Sequence, residues 1–146
     1  MSGLDELSLE EIEANFELLG DWEQRFSYLL DLGRKLPSLP DDARTEENRV
    51  RGCQSTVWLK ADIVEGDGPT IVLVADSDAH MVKGLIAILL VMYSGRSPDE
   101  ILAMDAEGVF ARLGLDTHLS PTRRNGLFSM VERIRALAAQ HAGVSP

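Results

Sequence analysis

The apolar residues Val57, Leu59, Ala61 and Ile63 alternate with Trp58, Lys60 and Asp62, while the segments on either side repeat their apolar residues every third or fourth position. A period of two marks a strand with one core-facing side, and a period near 3.6 marks a helix. Glu65-Gly-Asp-Gly-Pro69 reads as a turn, and the β-branched run Thr70 to Ala75 reads as the returning strand. One antiparallel hairpin among helices is the frame these periods allow. Asn48 to Arg51 is placed to add a short third strand.

The helices carry clear punctuation. Ser8-Leu-Glu-Glu11 has the form of a capping box, followed by Ile12, Phe16 and Leu19 at helical spacing and by Gly20 as a stop. Asp21 can cap a second helix, with Trp22, Phe26, Leu29 and Leu30 on one face, ending near Gly33. Residues 36–48 contain two prolines and no sustained period, so they read as a loop leading to the only cysteine. Ser77 or Asp78 can cap a helix through Met81 to Tyr93. The nine apolar residues Leu85 to Tyr93 make this a core helix, since a membrane span needs about 20. Ser97-Pro-Asp-Glu100 predicts another capped start, Asp105 a short helix to Leu113, and Ser120-Pro121 the last helix, with a stripe of Leu127, Met130, Val131, Ile134 and Leu137. The fold class is therefore α+β, a small antiparallel sheet packed against several helices. With 146 residues, 45% hydrophobic, and neither repeat nor linker, a single domain over residues 1–146 is expected.

Charge narrows the function. A net charge of −10 speaks against a general nucleic-acid binder, which needs a basic face to replace phosphate counterions. Residues 1–48 hold 13 acids and 4 bases, residues 49–60 hold three bases and no acid, and residues 61–78 hold five acids and no base. The acidic N-terminal third is either a solvated face or a docking surface. The N-terminus has neither the basic nor the apolar region of a signal peptide, so a cytoplasmic, membrane-free protein is expected, its thiol reduced.

Cys53 sits in the short basic island. Arg49 and Arg51 precede it closely and favour a thiolate, and Gly52 allows positive φ or a close approach. The alternative is a small buried hydrophobe. Cys53, His80, His118 and His141 are too far apart in sequence to suggest a metal site, and no phosphate-cradling glycine loop is present. His118 could approach Cys53 as a catalytic base or simply end a loop.

The string Asn48-Arg-Val-Arg-Gly-Cys-Gln-Ser-Thr-Val-Trp58 resembles the active-cysteine signature of the SufE family of sulfur acceptors. Asp76-Ser-Asp-Ala-His-Met-Val-Lys-Gly-Leu-Ile-Ala87 resembles the family's second signature, and His118-Leu-Ser-Pro-Thr-Arg-Arg-Asn-Gly-Leu127 its third. The three occur in order and the resemblance spans about residues 20 to 138, with His80 and Arg123-Arg124 as local variation. It implies a SufE/IscU-like fold. It further implies that Cys53 takes persulfide sulfur from a pyridoxal-phosphate-dependent cysteine desulfurase of the SufS or CsdA type, stimulates that enzyme, and delivers the sulfur to a SufBCD-type iron–sulfur scaffold. The chain would need no cofactor of its own, because the pyridoxal phosphate belongs to the desulfurase, and no independent turnover is expected. Arg51, Gly52 and Gln54 would support the cysteine loop. Asp78 and Arg123 would lie near that loop or face the partner; for Asp78 the alternative is a plain helix N-cap. Trp58 and Lys83-Gly84 read as structural. The competing function is an acidic module that activates a desulfurase by binding alone, with Cys53 incidental.

Overall fold

The structure is a computed structural model that describes residues 7–37, 39–52, 55–66 and 68–141. Two of the expected site residues, Cys53 and Gln54, lie outside the described residues.

Helices α1 (Leu9–Leu19) and α2 (Trp22–Arg34) open the chain, each started by the expected cap: the Ser8 hydroxyl accepts from the Glu11 N–H, and the Asp21 carboxylate from that of Gln24. Gly20, at φ 74°, makes the bend between them. After a 3-10 turn at Asp41–Ala43 come strands β1 (Val57–Val64) and β2 (Thr70–Ser77), paired antiparallel from Val57↔Ser77 to Val64↔Thr70. Helix α3 (His80–Tyr93) follows, buried along most of its length. Then come α4 (Pro98–Ala103), with a complete capping box between Ser97 and Glu100, and α5 (Ala106–Leu113), capped by Asp105. Helix α6 (Leu115–His118) precedes α7 (Pro121–His141). Beneath the sheet, α3 crosses α2 closely, and α7 buries Leu127, Met130, Val131 and Ile134 as its stripe predicts.

Three expectations change. The sheet has two strands; the third is reduced to a bridge between Arg49 and Trp58, with Val50 N–H bonded to Val57 O at 2.9 Å and Leu59 N–H to Asn48 O at 2.7 Å. Turns on both sides cut it short, at Thr45–Asn48 and at Arg51–Gly52. Neither Ser77 nor Asp78 caps α3, whose N-cap is Ala79, without a side-chain bond. The hairpin claims both residues. The Asp78 N–H bonds Thr56 O at 3.3 Å, and the Ser77 hydroxyl donates to the same oxygen at 2.7 Å. The four-residue α6 was not expected; it follows Gly114, whose left-handed backbone ends α5.

Candidate functional site

The described chain on both sides of Cys53 is tied down by residues remote in sequence. On the leading side, residues 48–50 bond to β1. Gly52 sits at φ 88°, and a Cβ there would lie 2.5 Å from the Ser129 hydroxyl oxygen on α7. Gly52 therefore meets both needs that its residue type suggests, a left-handed backbone and a close approach. On the trailing side, the Asp78 carboxylate accepts the Thr56 N–H at 3.2 Å. Asp78, at the end of the hairpin, thus braces the strand that leaves the cysteine segment.

Beside this segment lies a cavity of about 60 Å³. Val82 and Leu85 of α3 and Leu127 and Met130 of α7 form its apolar floor, and Ser55, Thr122 and Arg123 its polar rim. It holds only a few water-sized groups. Arg123 stands in the first turn of α7, where the helix dipole disfavours a cation. Among the described residues its guanidinium has neither an ion pair nor a hydrogen bond.

Arg51 is differently placed. It is exposed and pairs with Glu46 at 2.9 Å, while Arg49 reaches the other oxygen of the same carboxylate at 3.7 Å. Glu46 therefore offsets part of the basic island's field, an effect invisible when charges are counted by segment. Trp58 is structural: the Arg44 guanidinium lies 4.8 Å from its ring centroid and also pairs with Asp76 at 2.8 Å. The buried Asp76 holds Lys83 as well, at 3.5 Å, which ties the incoming loop to β2 and α3. His118 stacks on Trp22 at 4.0 Å, with its Nδ1 3.0 Å from Gly114 O. That placement gives it a packing role on α6. Among the described residues, no three His, Cys, Asp or Glu side chains form a group able to hold a metal ion, and no helix is long and apolar enough to cross a membrane.

Comparison with known proteins shows the family and the fold. The SufE family, described as an Fe-S metabolism associated domain, matches residues 10–138. The chain belongs to the SufE family. It is 47% identical to an uncharacterized SufE-like protein of Rhizobium etli over 137 residues, covering 92% of each chain. It is 43% identical to one of Rhizobium meliloti over 132 residues, covering 90% of this chain and 94% of the relative. The solution structure of a hypothetical protein from Thermus thermophilus shares the fold, with a TM-score of 0.72 and 28% identity over 90% of this chain and 93% of that one. This SufE chain accordingly has a role in Fe–S metabolism.

The close contact at Gly52 has a measurable consequence. Gly52→Ala is expected to cost about 2 kcal/mol of stability, from the left-handed backbone together with overpacking. In a Ser129→Ala background the 2.5 Å contact is gone, and about half of that cost should disappear. Thermal denaturation of the four chains of this cycle measures it; strict additivity would mean that Gly52 and Ser129 do not touch.

Proposed function

We propose that this SufE protein is a sulfur acceptor and carrier. The Cys53 thiolate attacks the outer sulfur of a persulfide held on a cysteine desulfurase. A new S–S bond forms at Cys53 as the enzyme's own S–S bond breaks, and the desulfurase cysteine leaves as a thiolate. The outer sulfur keeps its hydrogen, so Cys53 becomes Cys53-S-SH with no external oxidant or reductant. This is the chemistry of thiol–disulfide exchange. The pyridoxal phosphate that frees sulfur from L-cysteine belongs to the desulfurase, and a SufBCD-type scaffold receives the sulfur afterwards, in the cytoplasm.

One observation carries the reading within the family frame: the chain entering Cys53 is bonded to Arg133 of α7 and the chain leaving it to Asp78, beside a small cavity whose rim holds an arginine unpaired among the described residues. A thiol meant only to pack needs no such framing. The Arg123 guanidinium supplies the charge that would meet either a persulfide anion or an acidic partner surface. Asp78 would act mainly by bracing Thr56, with Gln54 supporting the loop.

The test is the intact mass of the chain after incubation with an active cysteine desulfurase and L-cysteine, without reductant. A gain of one sulfur atom that dithiothreitol removes is expected. No gain from a desulfurase shown to turn over would overturn the carrier reading.

A further inference from the structure

Between residues 47 and 50 the backbone has two edges. Asn48 O and Val50 N–H face β1 and are bonded to it. The carbonyls of Glu47 and Arg49 face the other way, where no strand follows among the described residues. Arg133 of α7 fills that place: its Nη2 donates to Glu47 O at 2.5 Å and its Nη1 to Arg49 O at 3.3 Å. A planar guanidinium suits this task because its fork presents two donors in fixed geometry.

Ser129, one turn before Arg133, lies on the same face of α7 and abuts Gly52. Residues 47 to 52 therefore run along α7 towards its N-terminus, antiparallel to it. There Arg123 and Ser55 share the cavity rim. The two contacts, one turn apart, fix the register of this segment on the helix.

We infer that Arg133 is a positioning residue for sulfur transfer: its fork on Glu47 and Arg49 sets the register of the segment that leads into Cys53. The inference rests on the carrier reading. Its part is indirect: Arg133 acts through the chain it holds. Loss of the fork should widen the range of positions from which the thiol must attack, which lowers the rate within the complex more than it weakens association.

The experiment uses the full chain with an active cysteine desulfurase and L-cysteine. Initial rates of sulfur uptake are followed by intact mass over a range of carrier concentrations, and amide hydrogen exchange is recorded on the free chain. For Arg133→Ala the maximal rate should fall roughly tenfold, with the half-saturating concentration unchanged within about twofold. The Val50 and Leu59 amides should exchange about tenfold faster, while amides bonding β1 to β2 keep their rates. Arg133→Lys can reach one carbonyl at a time and should recover part of both effects; it also serves if the alanine chain does not fold. A change in half-saturation alone would make Arg133 a partner contact and overturn the inference. Unchanged exchange with normal uptake would overturn it too, leaving the carrier reading in place. If the wild-type chain takes up no sulfur while exchange at Val50 and Leu59 still responds to the substitution, the carrier reading fails, and the role in transfer fails with it.

Discussion

A Cys53→Ser chain is expected to gain no sulfur from a desulfurase that loads the wild-type chain. The substitution exchanges a sulfur atom for oxygen and changes little else in size, so the difference lies in the nucleophile. A thiol with an ordinary pKa of about 8.5 is a few per cent thiolate near neutrality, and thiolate attacks sulfur readily. A serine hydroxyl ionises negligibly there. Uptake should therefore drop below about a hundredth of the wild-type rate. Stimulation of the desulfurase, followed as alanine release, separates the two functional readings. A carrier stimulates by emptying the enzyme's cysteine, so the serine chain should leave turnover near its unstimulated rate. Full stimulation by the serine chain would sink the carrier and favour the acidic module that activates by binding. Thermal denaturation of both chains in parallel excludes misfolding as the cause.

What could be read from the sequence depended on how far apart the interacting groups are. Caps at Ser8, Asp21, Ser97 and Asp105 were legible because donor and acceptor lie three residues apart, and a single turn of backbone decides the outcome. The hairpin was legible from its period and its turn. Asp78 shows where local logic fails: a carboxylate just ahead of a helix resembles an N-cap, yet extension of the strand ladder brings the Thr56 N–H to it from 22 residues away. The third strand fails for the opposite reason. Its residues do pair, but flanking turns leave room for one bridge only.

The candidate site divides along the same line. Gly52 and Arg123 could be singled out by residue type and motif, because a positive φ and a cation at the wrong end of a helix dipole are local facts. Ser129 and Arg133 could not. They meet the cysteine segment across 77 and 84 residues, and nothing in the period of α7 separates a solvent-facing arginine from one that holds a backbone. Glu46 was missed because segment charge sums place it with the acidic stretch, although it pairs with both arginines before the cysteine.

Gly84→Ala is expected to lower the melting temperature by about 10 °C, a net loss of about 3 kcal/mol. Gly84 lies where α3 crosses α2. A Cβ there would press into the Leu29 carbonyl oxygen and stand 2.8 Å from its carbon. From the other side, a Cβ on Gly33 would lie 2.9 Å from the Gly84 nitrogen. These obstacles are helix backbone, which cannot rotate away as a long side chain can, so the helices must separate and open gaps along a buried contact. Alanine's better helix propensity returns only about 1 kcal/mol. Gly66 is the control: an added methyl there would meet no atom within 4 Å, and its φ is not positive, so Gly66→Ala should fall within about 0.5 kcal/mol of wild type. The loss at Gly84 should also reach the site, because Val82 and Leu85, on the two sides of this glycine, line the cavity beside the cysteine segment. A helix pushed off α2 carries that floor with it, so sulfur uptake by Gly84→Ala should fall even well below its melting temperature. Wild-type melting and uptake in this variant would mean that α2 and α3 cross with more room than a methyl group requires.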